Sequence, residues 1–390
     1  MKNISLKRRQ ILQGLAGLPL AASPAIGLAA AITGTATRSV NRAEKEAWAS
    51  AATQVNGGAG FIAGGSSATV TPAGFRGHGV VLCPDNTTHA LMMARRPGYE
   101  GVFFDLSSAK ELRRFPAPEK RQFQGHAVFS QDGQEIYVAA TVDDFHDPQN
   151  GQGRICVFDY DSLKLVREFD SGGPEPHELL LRSDGVLVVA NGGLMPSASL
   201  DKRTTLADRM ASSLVLLNPD MGELISQHRL AEEKASIRHI SLSADGSVVA
   251  ALQVQRQVMS DSEPRPLVAK LTAQGEFGYL DAPDNLWLTA QDYMGSVVVD
   301  PLTDVAAVTT PKGNFAAFWH VGSGKLLGAF QMFDVCGLAV SQVHQCFVLS
   351  NSAGELRYVD PVTLKEHRDL YQSFPGVRFD NHMSQSVVLS

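Results

Sequence analysis

The chain has 390 residues, of which 44% are hydrophobic, and a net charge of −6 at pH 7. This hydrophobic content supports a large core, and the negative charge excludes a non-specific nucleic-acid binder, because the phosphate backbone repels an acidic surface. Beyond the N-terminal segment no run of 18 apolar residues occurs, so we expect no membrane helix in the mature chain.

Residues 1–29 are predicted to be a twin-arginine export signal. The segment KRRQILQ (7–13) resembles the twin-arginine motif, although Lys7 replaces the usual Ser or Thr. A weakly apolar stretch follows and ends at GLAA (27–30), which fits a cleavage site. The alternative is an ordinary basic N-terminus. The signal predicts a periplasmic protein without stable membrane insertion after its removal, a linker over 30–43 and one folded domain over 44–390.

Five histidines recur at one position of a repeat that runs through most of the chain. They are His78, His126, His177, His239 and His382. Each opens an apolar run, and the first four are followed by a turn and a second apolar run. Several of these turns contain Asp-Gly, as at 132–133, 184–185 and 245–246, which is a strong hairpin signal because the turn needs positive φ values. The repeat therefore consists of hairpins that begin with a histidine.

Two further units keep the hairpin but have Ser296 and Gly337 at the histidine position. Seven repeat positions result, at a spacing typical of four-stranded propeller blades, about 40–50 residues each. The chain ends one strand into the seventh unit, so strands within residues 46–72 are expected to complete it. The sequence predicts an all-β fold, a seven-bladed β-propeller whose ring is closed by N-terminal strands completing the last blade. We expect this ring to be a monomer.

The four cysteines lie in separate predicted strands, with neither a CxxC motif nor zinc-site spacing. Cys336 and Cys346 share one hairpin, but its turn would pair Cys346 with about Val340. Buried free thiols are therefore predicted; a disulfide remains the alternative in an oxidising compartment.

In a closed ring the five histidines would converge on one axis. Histidine is the commonest metal ligand, and several imidazoles can bind a transition metal or haem. Iron, copper and haem are thus the cofactors that the pattern predicts. All five cannot bind one ion in ordinary geometry, so His78, His126 and His382, on consecutive blades after closure, form the expected ligand set, followed by His177 and then His239. The alternatives are structural contacts to neighbouring blades and a pH-sensitive cluster.

Polar residues beside the histidines are predicted to contact a ligand. They are Arg76, Glu178, Arg238 and Asn381. Carboxylates commonly orient ligating histidines, and arginines bind carboxylate-bearing ligands in bidentate fashion. Salt bridges among the charged groups, which include Glu175 on the other side of His177 from Glu178, are the alternative. A catalytic residue cannot be assigned, because the chain has no GxSxG elbow and no evident nucleophile.

Six segments together resemble an uncharacterised family of twin-arginine-exported bacterial propellers. They are FRGHG (75–79), PHEL (176–179), VANGG (189–193), IRHI (237–240), DVCG (334–337) and FDNH (379–382). Members of that family are commonly encoded beside imelysin-type periplasmic iron-uptake proteins and dihaem peroxidase-like proteins. The resemblance implies a periplasmic propeller linked to iron or another metal, with iron-uptake proteins as partners. It implies no reaction, and residues 195–198 and 255–265 depart from it.

Three functions follow from these patterns. The first is a periplasmic protein that binds a metal ion, haem or a metal chelate in iron acquisition. The second is a scaffold whose rim docks protein partners, and the third is a metal-dependent enzyme, either a hydrolase of the lactonase kind or an oxidoreductase. Lactonase sites favour carboxylates and asparagine around calcium, whereas the repeated residue here is histidine. The fold alone does not distinguish among these three functions.

Overall fold

The computed structural model describes residues 44–64, 69–144, 146–196, 205–206 and 209–389. The predicted export signal (1–29) and linker (30–43) lie outside the described residues. Within the described ranges, every helix is too short or too polar to cross a membrane.

The described residues form short strands that alternate with tight turns. The first are β1 (Glu44–Gln54), β2 (Ala59–Gly64), β3 (Thr69–Pro72), β4 (Gly77–Leu82), β5 (His89–Ala94), β6 (Glu100–Asp105), β7 (Lys110–Pro116), β8 (Arg121–Phe129), β9 (Glu135–Val142), β10 (Gly153–Asp159) and β11 (Leu165–Asp170). Next come β12 (Pro176–Leu181), β13 (Leu187–Asn191), β14 (Met195–Pro196), β15 (Thr205–Leu206), β16 (Ser213–Asn218), β17 (Glu223–His228), β18 (Ala235–Leu242), β19 (Val248–Val254), β20 (Val268–Leu271) and β21 (Phe277–Tyr279). The last are β22 (Ser296–Asp300), β23 (Val305–Thr310), β24 (Phe315–His320), β25 (Lys325–Gln331), β26 (Val335–Ser341), β27 (Cys346–Asn351), β28 (Glu355–Val359), β29 (Gln372–Ser373) and β30 (Val377–Leu389). One α-helix, α1 (Asp284–Ala290), and 3₁₀ helices at Arg256–Val258 and Arg368–Leu370 interrupt them.

The strands pair into antiparallel meanders. Five separate four-stranded sheets comprise β4 to β7, β8 to β11, β12-β13-β16-β17, β18 to β21, and β22 to β25. A sixth, eight-stranded sheet has the order β29-β28-β27-β26-β30-β1-β2-β3, and β14 pairs with β15 separately. The first strand of each meander contacts the first strand of the next around the ring. These first strands, β4, β8, β12, β18, β22, β26 and β30, line the central channel.

The prediction of seven blades is wrong, although the all-β class is confirmed. The propeller has five separate four-stranded blades. The last two sequence repeats merge into the eight-stranded sheet, because β26 pairs in parallel with β30 at Leu338 and His382. The sequence repeat reflects hairpins, which form between neighbouring segments of the chain. The boundaries of a sheet depend on pairing between distant segments, so the number of repeats does not give the number of blades. On the other side of β30, β1 pairs with it antiparallel from Glu44 opposite Leu389 to Gln54 opposite Val377.

The core lies between the sheets and along their middle strands. In β5, for example, every residue after His89 is buried, because both faces of an inner blade strand pack against neighbouring blades. The outermost strands are largely exposed, as in β7. The four cysteines, Cys83, Cys156, Cys336 and Cys346, are all buried free thiols. The buried middle strands therefore lie between the first strands at the channel and the exposed outermost strands.

Candidate metal centre

The structure brings the five repeat histidines together in one cluster. They lie on β4, β8, β12, β18 and β30. Ring centroids of neighbouring imidazoles are 4.4 Å apart for His239 and His382 and 5.9 Å apart for His78 and His239. His382 is partly buried and the other four are buried. The cluster forms because the repeat puts each histidine at the same height on a channel-lining strand. We call these five residues the histidine cluster.

Two glycines allow the first two strands of the ring to approach closely enough for this packing. A Cβ on Gly79 of β4 would lie 2.6 Å from the carbonyl oxygen of Gly125 and 2.9 Å from Nδ1 of His126. A Cβ on Gly125, whose φ is +103°, would lie 2.8 Å from Cδ2 of His78. Larger residues at either position would push the imidazoles apart.

Metal-ligand atoms of the cluster fall into two groups, and within each group these atoms all lie within 4.8 Å of one another. The first group is His126, Glu178, His239 and His382, and the second is His78, His177 and His239. An ion with metal–nitrogen bonds of about 2.1 Å holds tetrahedral ligands roughly 3.4 Å apart, so side-chain shifts of about 1 Å close either group. His239 is the residue that both groups share.

The imidazoles are neutral near pH 7. Burial, followed by the charges of neighbouring groups, holds the pKa of four of them well below the usual 6.5; these are His126, His177, His239 and His382. Burial also lowers the pKa of His78, although a hydrogen bond with Asp380 opposes the shift. Neutral imidazoles have a free lone pair, which is the form that binds metal.

Several ring nitrogens of the cluster lack a hydrogen-bond partner among the described residues. They are Nε2 of His78, His126 and His382 and Nδ1 of His239. Buried polar atoms are normally hydrogen-bonded, because leaving one unpaired costs about 1–3 kcal/mol. Three of these residues, His126, His239 and His382, belong to the first ligand group, so a metal ion bound there fits their unpaired nitrogens.

Glu178 of β12 lies between two of the rings. Its Oε1 is 3.5 Å from His126 Nδ1, and its Oε2 is 3.4 Å from His239 Nδ1. The backbone N–H of Ile240 donates to Oε2 at 2.7 Å and holds the carboxyl in place. Burial raises the pKa of Glu178 to about 8. The residue predicted to contact a ligand therefore has the position of a metal ligand, where a cation would stabilise its ionised form.

Asp380 orients His78. Its Oδ1 is 3.1 Å from His78 Nδ1, and its Oδ2 accepts hydrogen bonds from Nε and Nη2 of Arg76 at 3.0 and 2.8 Å. Burial raises the pKa of Asp380, but the hydrogen bond with His78 and the charges of Arg95 and Arg76 hold it well below the usual range. An ionised carboxylate at Nδ1 directs the proton there and leaves Nε2 as an acceptor, as in carboxylate–histidine–metal triads.

The remaining predicted ligand contacts lie on the side of the cluster from which the histidine-bearing strands begin. Arg238 Nη1 is 3.1 Å from Glu175 Oε1 and 3.5 Å from His177 Nδ1. Arg96 pairs with the same oxygen of Glu175. Asn381 donates from Nδ2 to the Tyr293 hydroxyl at 3.0 Å. Both predicted arginines therefore form salt bridges, the alternative to ligand binding: Arg76 pairs with Asp380 and Arg238 with Glu175.

Sequence reasoning missed Asp380, Arg95 and Arg96 as parts of the site. Asp380 had a usable signal, since it stands two residues before His382 as Arg76 stands two before His78. Arg95 and Arg96 directly follow β5, a second strand of a blade, and no pattern indicates that such residues reach the channel. They do so because the end of β5 pairs with the start of β4, where the Arg95 N–H donates to the Arg76 carbonyl.

On the other side of the cluster, the channel contains a cavity of about 250 Å³. Its walls include Val80, Val128 and Leu180, which follow cluster histidines on their strands, and Val298 and Leu338, which follow Ser296 and Gly337. His126, Glu178 and His382 also border it. The cluster therefore separates a charged side of the channel from a largely apolar side.

The fold and the site define a β-propeller with a channel centre of imidazoles and one carboxylate that can hold a metal ion. The chain belongs to the family described as "Protein of unknown function (DUF1513)", whose profile matches residues 71–386.

Among solved structures, the chain is similar to Kuenenia stuttgartiensis hydrazine synthase. The TM-score is 0.54 and the sequence identity 11%, and the likeness covers 81% of this chain and 90% of that chain. At this identity the likeness concerns the fold alone. A search of curated protein sequences finds no match.

Proposed function

We propose that this protein binds a transition-metal ion, free or as a chelate, through the histidine cluster and Glu178, and that it acts in periplasmic iron acquisition. The observation that carries the proposal is the set of buried, neutral imidazoles whose free nitrogens lie within 4.8 Å of a carboxylate or of one another. A purely structural role for these rings would require hydrogen-bond partners for them.

The donor set favours a first-row transition metal. Imidazole suits iron, copper, nickel and zinc, whereas calcium and magnesium prefer oxygen ligands. A haem would need a flat slot between two axial ligands, but other cluster rings lie within 6 Å of each imidazole. The geometry therefore favours an ion or a compact chelate over haem. Because both ligand groups use His239, we expect one ion per chain.

The periplasmic setting rests on the sequence. The KRRQILQ segment supports twin-arginine export, and the resemblance to propellers encoded beside imelysin-type proteins supports a link to iron uptake. Export of the folded protein would allow the metal to be acquired before or after transport. Iron-uptake proteins of the same compartment are the partners that this proposal predicts.

The test is the metal content of the protein purified after native export. Mass spectrometry should find close to one iron or copper ion per chain, and absorbance should show no haem. His239→Asn, which affects both ligand groups, should lower the metal content and the affinity for added Fe²⁺ or Cu²⁺ at least about tenfold. The matched control is His228→Asn, since His228 is a half-buried histidine on β17 outside the cluster.

Thermal unfolding of each variant would confirm that it folds. A metal-free wild type that binds no added iron, copper or zinc would overturn the proposal and leave the docking scaffold as the leading function. Equal metal affinity in wild type and His239→Asn would also overturn it.

A further inference from the structure

Four guanidinium groups surround the charged side of the histidine cluster. We call Arg76, Arg95, Arg96 and Arg238 the arginine mouth. Two carboxylates face them: Asp380 pairs with Arg76 and Arg95, and Glu175 pairs with Arg96 and Arg238. Four positive charges against two negative ones leave a surplus of two positive charges beside the cluster. Glu178, the remaining acid at the cluster, lies on its cavity side.

Arg76, Arg95 and Arg96 are partly exposed, whereas Arg238 is the buried member of the arginine mouth. Arg238 is only 5% exposed, and its Nε has no hydrogen-bond partner among the described residues. A buried guanidinium group normally has partners for all its N–H donors, so the unpaired Nε of Arg238 costs free energy that a bound anion would offset.

We propose that the arginine mouth binds a small carboxylate-bearing anion next to the histidine cluster. The planar guanidinium group matches a carboxylate in bidentate geometry. Arg238 Nη1 lies 3.5 Å from Nδ1 of His177, so a carboxylate on Arg238 is within reach of the second ligand group, to which His177 belongs. If the histidine cluster binds a metal ion as proposed above, the bound carboxylate fills the free coordination positions of that ion. This part rests on the proposed function.

The two sides of the cluster support this assignment. A bare cation would be repelled by the arginine mouth, whereas a metal polycarboxylate with net negative charge would be attracted to it. The opposite side is a largely apolar cavity. A free carboxylate and a metal chelate both present a carboxylate group to the arginines. Separate titrations with citrate and with ferric citrate distinguish these two ligands.

The probe is citrate, measured by calorimetry with the full-length mature protein. Three titrations are compared: citrate into metal-free protein, ferric citrate into metal-free protein, and Fe²⁺ alone into metal-free protein. Arg96→Gln removes one positive charge and leaves Glu175 paired with Arg238. Arg95→Gln likewise leaves Asp380 paired with Arg76. Neither variant therefore creates an unpaired buried carboxylate.

The matched control is Arg114→Gln. Arg114 is 38% exposed, against 31% for Arg96, and pairs with Glu100 and Glu111 away from the channel. We expect Arg96→Gln to weaken citrate or ferric citrate binding roughly tenfold or more, a larger loss than for Fe²⁺ alone, and we expect the control to behave as wild type.

Citrate binding to the metal-free protein would identify a free carboxylate as the ligand; binding only of ferric citrate would identify the chelate. If neither binds the wild type, or if the control loses as much affinity as Arg96→Gln, the inference is wrong. Binding of citrate without binding of ferric citrate, iron, copper or zinc would overturn the proposed function and leave the anion site standing.

Discussion

Asp380 connects the arginine mouth with the histidine cluster at the scale of single residues. One carboxylate oxygen lies at the Nδ1 of His78, and the other accepts two hydrogen bonds from Arg76. The proposed anion site and the orientation of the His78 imidazole therefore both depend on the Asp380 side chain. Glu178 has the corresponding place between His126 and His239 on the cavity side.

Replacing Asp380 by Asn should weaken metal binding about 10–100-fold, the usual effect of losing a carboxylate that orients a ligating histidine. The amide can no longer attract the Nδ1 proton of His78 as strongly, so the tautomer with a free Nε2 becomes less populated. The free energy of unfolding should fall by about 1–3 kcal/mol, because the ion pairs of Asp380 with Arg76 and Arg95 are lost. The loss stays within this range because both arginines remain partly solvated.

Metal titration and urea denaturation would measure these two effects. The control is Asp184→Asn, because Asp184 forms an exposed pair with Arg182 far from the cluster. An Asp380→Asn protein with wild-type metal affinity would show that the contact with His78 has no role in metal binding.

At the scale of elements, tight hairpins and close strand contacts determine where the histidines lie. The Asp-Gly turns predicted from the sequence are confirmed by positive φ values of 74°, 83° and 85° at Gly133, Gly185 and Gly246. Between β4 and β8, the strands approach closely because neither Gly79 nor Gly125 has a side chain.

Gly79→Ala should therefore displace His126 without unfolding the blade. The added methyl group would meet the Gly125 carbonyl and the His126 ring, so β4 and β8 must separate slightly. We expect a loss of about 1–3 kcal/mol in the free energy of unfolding, as is typical of overpacking. Metal affinity should fall at least about tenfold, since the first ligand group includes His126.

Gly278→Ala on β21 is the control, because a Cβ there meets no atom within 4 Å. The measurements are thermal unfolding and metal titration. Unchanged metal affinity in a destabilised Gly79→Ala protein would show that the close packing of β4 and β8 does not determine the geometry of the metal site.

At the scale of the whole molecule, the two ends of the described chain hold the ring together. β1 pairs with β30, and Trp48 of β1 packs edge-on against Phe374 and Phe379, with ring centroids 5.3 and 5.7 Å apart. Since His382 lies on β30, this packing also supports the histidine cluster.

Trp48→Ala should lower the free energy of unfolding by about 3–5 kcal/mol, the usual effect of removing a fully buried tryptophan. Urea denaturation would measure it. Val55→Ala, at a position just after β1 that is 66% exposed, should stay within about 0.5 kcal/mol of wild type. A small effect of Trp48→Ala would mean that the pairing of β1 contributes little to ring closure.

The sequence by itself determined the strands, the hairpins and the common position of the five histidines. These features depend on local patterns: alternation of apolar residues, Asp-Gly turns and a repeat that marks one position in each unit. The positions of Arg76, Glu178 and Arg238 beside the histidine cluster could therefore be predicted without the structure, and their role in binding stays a prediction.

Only the tertiary structure decided how the repeats divide into sheets and which charges meet. The merging of the last two repeats depends on the pairing of Leu338 with His382, and Asp380 meets Arg76 across 304 positions of chain. The ligand groups around His239 and the surplus charge near Arg96 likewise depend on distances between blades. Contacts of this kind result from ring closure and leave no periodic signal in the sequence, because each residue's partner lies on a different blade.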